Sequence, residues 1–136
     1  MSKFIVSGLV ALGLWVPALP LSAHHGTAGS YDQNKTITVQ GTVKEFWWRN
    51  PHSALFLDAN DESGKPVTYA LEMGSPQTLV KFGYTRTTFK PGDKVTMPMH
   101  PSFTNPVNGE ALSRNVTVNG NKLKDAGGPN GAPGGY

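Results

Sequence analysis

The chain has 136 residues, no cysteine and a formal net charge of +3 at neutral pH. The lack of cysteine excludes disulfides, thiolate metal sites and thiol catalysis. The small positive charge argues against a dedicated nucleic-acid binder, which usually carries a clustered basic face, so we expect no nucleic-acid partner. The length allows one domain with a modest core.

Residues 1–23 have the order of a bacterial secretory signal peptide. Lys3 precedes an almost wholly apolar run from Phe4 to Pro17, and the stretch that follows ends in the small residues Ser22 and Ala23. A membrane-spanning helix needs about 20 apolar residues, so the run is short for an anchor. We expect cleavage after Ala23 or after Ser22, no membrane span after cleavage, and a periplasmic or secreted protein.

Two low-complexity segments flank the predicted domain. Residues 24–34 are small and polar and predict an extended leader. Residues 125–136 are rich in Gly and Pro and predict a disordered tail, because they cannot bury enough apolar surface to offset their ordering entropy. The single domain is therefore predicted to cover residues 35–124.

The domain shows five strand patterns. The first is long and alternating, and Gly41 interrupts it, which indicates a bulge or a bend. Polar loops and turn signals separate it from the later strands. The predicted strands cover residues 36–48, 53–58, 67–72, 94–99 and 111–118.

One short helix is predicted between the third and fourth strands. Ser75 is a suitable N-cap, Pro76 fits the first helical position, and Gly83 fits a left-handed C-terminal cap. The order β-β-β-α-β-β predicts an all-β fold with one short helix, namely a five-stranded OB-like Greek-key barrel. A small β-sandwich is the alternative, but it leaves the helix unexplained.

Five short motifs carry a family resemblance. They are His24-His25, Trp48-Arg49-Asn50-Pro51-His52, Glu72-Met73-Gly74-Ser75-Pro76, Pro91-Gly92-Asp93 and His100-Pro101. With them the chain resembles, from His24 to about Lys124, a large family of small secreted bacterial proteins of unknown function. The resemblance implies export and the barrel fold, and it names no ligand.

The four histidines are the candidate metal ligands, because each lies in a predicted loop or near the mature N-terminus: His24, His25, His52 and His100. Cleavage after Ala23 would give His24 a free α-amine beside its imidazole, and cleavage after Ser22 would give an Ala-His-His terminus. Both termini offer a nitrogen-rich site suited to copper. The alternative is a solvated leader with no metal role.

Three further residues are candidate ligand-binding residues. Trp47 and Trp48 are adjacent, so one side chain faces the core and the other can face a ligand, for which we name Trp48. Glu72 can orient a histidine or bind a ligand, and Asn50 can shape the turn before Pro51. Met97 and Met99 are expected in the core.

Two hypotheses follow. The first is a periplasmic binding protein that holds copper through His24 and His25, with help from His52 and His100. The second is a metal-free module that binds a small molecule, a glycan or a protein through an aromatic and loop face. No phosphate-binding loop, catalytic triad or carboxylate pair can be placed in the sequence, so we expect no enzyme.

Overall fold

The computed structural model of the protein describes residues 29–123. The predicted signal peptide, His24, His25 and the predicted tail of residues 125–136 lie outside the described residues.

Five strands form a closed barrel around one hydrophobic core. They are β1 (Ile37–Trp47), β2 (Ala54–Asn60), β3 (Pro66–Glu72), β4 (Lys94–Pro101) and β5 (Asn108–Ala111). The sheet order is β1-β2-β3-β5-β4, and pairing of β1 with β4 closes the barrel. Only the β3–β5 pair among these five is parallel. The OB-like Greek-key barrel predicted from the sequence is confirmed.

Strand β1 serves both sides of the barrel because it bends. Its first half pairs with β4 and its second half pairs with β2. Gly41 lies near the changeover, where a Cβ atom would stand 2.9 Å from the carbonyl oxygen of Asp58. The register then shifts between Val43 and Glu45, which leaves Lys44 as the extra residue of a bulge.

The helix forms where the sequence predicts it. Helix α1 spans Pro76–Lys81, and the Ser75 side chain accepts a hydrogen bond from the Thr78 amide at 3.2 Å. Gly83 follows with a φ of 82°, as a left-handed cap requires. Leu79 has no exposed surface and inserts into the core, which fixes the helix against the barrel.

The last predicted strand differs from the structure. Residues 111–118 do not form one strand: β5 ends at Ala111, and a hairpin of β6 (Thr117–Val118) and β7 (Asn121–Lys122) follows. Asn115 has a φ of 59°, a left-handed conformation that interrupts an extended chain. Strand β5 lies earlier in the chain than the predicted strand. Gly109 permits this pairing, because it allows a close backbone approach to β4 that a side chain would prevent.

The core consists of inward-facing residues from all five barrel strands, from α1 and from the loops. Met97 and Met99 have no exposed surface, so their predicted place in the core is confirmed. Within the described range, no helix has the length and hydrophobicity that a membrane crossing requires.

Candidate functional site

Three polar residues lie side by side on the outside of the barrel, and we call them the polar row: Glu72 on β3, Glu110 on β5 and His100 on β4. Glu72 is directly opposite Glu110, and Glu110 is directly opposite His100. Residues in such pairs point to the same face of a sheet. The row therefore brings two carboxylates and an imidazole together from sequence positions up to 38 residues apart.

Alternate residues of the segment before β1 contact the polar row one after another. The Tyr31 hydroxyl donates a hydrogen bond to Glu72 at 2.5 Å, and the Gln33 amide donates one to Glu110 at 2.8 Å. The Lys35 carbonyl oxygen lies 2.8 Å from Nδ1 of His100. The described end of the leader is thus docked on the barrel.

Backbone hydrogen bonds hold the same segment in place. The Asp32 amide donates to the Pro101 carbonyl at 2.9 Å, and the Phe103 amide donates to the Ser30 carbonyl at 3.2 Å. Tyr31 also forms an isolated antiparallel bridge with Ser102. These bonds are independent of the side chains of the leader, so they fix the position of Tyr31 over Glu72.

The Tyr31 hydroxyl is strongly held in its neutral form. Partial burial of the ring raises its pKa well above the usual range, and the hydrogen bond to Glu72 raises it further. The negative charges of Glu72 and Glu110 act in the same direction. The hydroxyl therefore remains a donor to Glu72 at every pH at which the protein is expected to work.

His52 is the predicted metal ligand that the structure places in contact with another candidate. Its Nδ1 atom forms an ion-pair contact with Glu72, the carboxylate that also binds Tyr31. A carboxylate only accepts hydrogen bonds, so Nδ1 carries the proton, and the lone pair of a neutral ring is on Nε2. More than half of the side chain is exposed, and Nε2 has no partner among residues 29–123.

His100 has a similar arrangement through a different acceptor. Its Nδ1 atom faces the Lys35 carbonyl, which accepts hydrogen bonds and fixes the proton on Nδ1. Histidines that bind metals through Nε2 commonly donate their other ring nitrogen to a carboxylate or a carbonyl. His52 and His100 both have that arrangement, but they lie at opposite ends of the row, because His52 contacts Glu72, and Glu110 lies between Glu72 and His100.

Two clefts meet at the His52–Glu72 pair, since both residues line each of them. One, of about 200 Å³, extends toward the start of α1 and includes Ser75 and Glu110. The other, of about 290 Å³, is a groove on the outside of β1, β2 and β3. The groove is lined by Tyr31, Trp47, Arg49, His52, Ser53, Ala54, Ala70, Leu71, Glu72 and Asn108.

The two adjacent tryptophans face opposite sides of the barrel, as predicted. Trp48 packs against the core and makes an edge contact with Phe46, at 5.8 Å between ring centroids. Trp47 lines the outer groove, where the Arg49 guanidinium lies 3.8 Å from its ring centroid and Phe56 meets it edge-on. The ring that lines the groove is therefore Trp47. The predicted ligand-binding role of Trp48 stays a prediction.

Asn50 is exposed in the loop after β1, beside the residues that line the groove. Its predicted role in ligand binding stays a prediction.

Tyr31 and Gln33 are the contact residues that the sequence analysis missed. A tyrosine in an otherwise small and polar leader is the signal that could have identified the docking contact.

The described residues do not form a complete metal site by themselves. In residues 29–123 no group of three or more His, Asp or Glu side chains is arranged to hold a metal ion. His24 and His25, the predicted first ligands, precede this range. A metal site at this face would therefore combine His52 or His100 with residues outside the described part of the chain.

Comparison with known proteins gives one result. No curated protein and no solved structure matches the chain. A family model described as a family of unknown function, DUF6152, matches residues 13–111, which is 99 of the 136 residues. This agrees with the resemblance seen in the sequence motifs. The chain therefore belongs to the family of unknown function DUF6152.

Proposed function

We propose that the protein is an exported, periplasmic binding protein that holds a copper ion between the N-terminal histidines of its mature chain and His52 on the barrel. His24 and His25 are the first ligands in this proposal, and His100 is the second barrel histidine available to it. The single observation that carries the proposal is that Glu72 binds both Tyr31 and His52.

That shared carboxylate ties the leader to the barrel histidine. Tyr31 is six positions after His25, and six extended residues span at most about 22 Å. The N-terminal histidines are thus tethered within reach of His52. Tethering raises the effective concentration of one set of ligands near the other, so it favours a shared site over independent weak sites.

The donor atoms suit copper. Imidazole nitrogens and an N-terminal amine form the nitrogen-rich, square-planar set that Cu(II) favours, and copper is the strongest binder among the common divalent ions. His52 would contribute Nε2 while Glu72 orients its ring through Nδ1. The protein supplies binding and orientation in this proposal and no catalytic step.

The test is a Cu(II) titration of the purified protein with its native processed N-terminus, followed by electron paramagnetic resonance. We expect one equivalent to bind with a nitrogen-rich spectrum that is lost in His24→Ala. His52→Ala and Glu72→Gln should each weaken binding by about 10- to 100-fold, as removal of a ligand or of its orienting partner does.

His100→Ala is the matched comparison, because it removes a second surface imidazole held in the same way. If His52 is the barrel ligand, His100→Ala should leave the spectrum unchanged. Weak binding that does not depend on His24 would refute the copper proposal.

The outer groove favours a second candidate function, a metal-free module that binds a small molecule, a glycan or a protein. The groove has a floor of Ala54 and Ala70 and an aromatic wall of Trp47, with Arg49 at its rim. Trp47→Ala should abolish binding to such a ligand while His24→Ala has no effect. The opposite pattern supports the copper site.

A further inference from the structure

A separate cavity of about 460 Å³ lies where β1 begins, between the β2–β3 loop and the β4–β5 connection. It is lined by Lys35, Ile37, Asp61, Glu62, Ser63, Tyr69, Pro101, Pro106 and Val107. The two clefts at the His52–Glu72 pair share none of these residues. Its size is within the range of small-molecule sites, which are commonly 300–1,000 Å³.

The cavity contains a tyrosine hydroxyl without a hydrogen-bond partner among residues 29–123. Tyr69 is only 7% exposed, yet its hydroxyl makes no hydrogen bond with the described part of the chain. The hydroxyl oxygen is accessible from the cavity, because the fully buried polar side-chain atoms without a partner in residues 29–123 are those of Ser53 and Ser113. Since Tyr69 lines the cavity, a ligand there can supply the missing partner.

The charges around this hydroxyl are mainly negative. Asp61 and Glu62 line the cavity together with Tyr69, and burial followed by the negative charges of these two carboxylates raises the pKa of Tyr69. Hydrogen bonds from Ser63 and from the Lys65 amide hold the Asp61 carboxylate in place. Lys35 is the single cation of the lining, so the cavity has one excess negative charge.

The remaining walls are apolar. Ile37 and Val107 pack against the core at the base of the cavity, and prolines contribute further apolar surface. A ligand that fits has an apolar body against these walls and a positively charged donor group near the carboxylates and the Tyr69 hydroxyl. The face of an aromatic ring also attracts cations.

We propose that this cavity binds a small organic cation, with a primary ammonium group that donates to the Tyr69 hydroxyl and is neutralised by Glu62 and Asp61. The apolar body of the ligand packs on Ile37 and Val107. This site is independent of the copper site, because the two share no residue and each can be present without the other.

The test is a titration of the purified protein, by isothermal calorimetry and by amide chemical shifts, with three matched probes: phenethylammonium, 2-phenylethanol and 3-phenylpropionate. We expect the ammonium compound to bind at least about tenfold more tightly than the alcohol, and the carboxylate to bind most weakly. The largest shifts should occur at Ile37, Tyr69 and Val107.

Two conservative variants locate the interaction. Tyr69→Phe keeps the ring and removes the hydroxyl, and Glu62→Gln keeps the shape and removes the charge; each should weaken phenethylammonium binding by about fivefold or more. Glu45→Gln removes an exposed carboxylate of β1 that does not line the cavity, so binding should be unchanged. Equal affinity for the ammonium compound and the alcohol, or unchanged binding in Glu62→Gln, would overturn the proposal.

Discussion

The hydroxyl of Tyr31 is expected to hold the leader on the barrel, and Tyr31→Phe tests this with the smallest possible change. The substitution keeps the ring and removes the 2.5 Å hydrogen bond to Glu72. Hydrogen bonds to charged groups contribute about 1.5–3 kcal/mol when buried. The ring is only half-buried, so water can replace part of the bond, and we expect a loss of about 1 kcal/mol.

Native-state hydrogen exchange gives the assay, because two amides report on leader docking. The Asp32 amide donates to Pro101, and the Phe103 amide donates to Ser30. These amides exchange when the leader opens, and a loss of about 1 kcal/mol should speed their exchange about fivefold. Amides in the middle of the barrel, such as that of Leu57, should exchange at their original rate.

The matched control is Tyr69→Phe, which makes the same chemical change at a hydroxyl that has no hydrogen-bond partner among residues 29–123. It should leave the exchange of the Asp32 and Phe103 amides unchanged. Unchanged exchange of those two amides in Tyr31→Phe would show that the backbone bonds alone hold the leader, and would refute the reasoning.

Three other substitutions test the fold that positions the site. Gly109→Ala should lower the free energy of unfolding in urea by about 2 kcal/mol, because a Cβ atom there would lie 2.8 Å from a carbonyl oxygen of β4; Gly29→Ala, with open space around it, should not. Ser75→Ala should cost about 1 kcal/mol through loss of the helix cap, measured in the same way. The hydrogen bond from Asn119 is the main reason why the pKa of Asp93 is lowered. The ionised Asp93 carboxylate therefore stabilises the fold above about pH 4, and this stabilisation is lost as the pH falls through the lower folded-state pKa. Asp93→Asn should remove that part of the acid dependence in unfolding measured from pH 2 to 6, whereas an unchanged acid dependence would contradict the assignment.

Features governed by local chemistry were predictable from the sequence. The helix follows from Ser75, Pro76 and Gly83, which act on their own immediate neighbours, and the structure has the helix where they place it. The five-stranded barrel follows from the order of the elements. The bend of β1 follows from Gly41, since only a residue without a side chain permits the close approach of β2.

Features governed by pairing across the barrel were not predictable. The last barrel strand begins at Asn108 because Gly109 fits against β4, and a single sequence does not show which segment will meet β4 there. The contact of Tyr31 with Glu72 joins residues 41 positions apart. The sequence marks Tyr31 as the aromatic residue of a small and polar leader, but it does not show which residue of the barrel Tyr31 contacts.

One inserted residue in β1 determines which of the two tryptophan side chains points to the core. Val39 and Val43 are buried, and strict alternation from them would turn Trp47 inward and Trp48 outward. The bulge at Lys44 adds one residue to β1 and changes the parity, so that Trp48 packs on the core and Trp47 lines the groove. Because of this bulge, Trp47 is the tryptophan available to a ligand in the outer groove.

The shared role of Glu72 can be tested directly with a double-mutant cycle. If Tyr31 acts through this carboxylate, then Tyr31→Phe should cost about 1 kcal/mol in the natural background and nearly nothing once Glu72→Gln is present, because the charge that strengthens the bond has already been removed. The coupling is measured from urea unfolding of the four proteins. Additive effects would mean that the hydroxyl and the carboxylate act separately, and the link from the leader to His52 on which the copper proposal rests would then be absent.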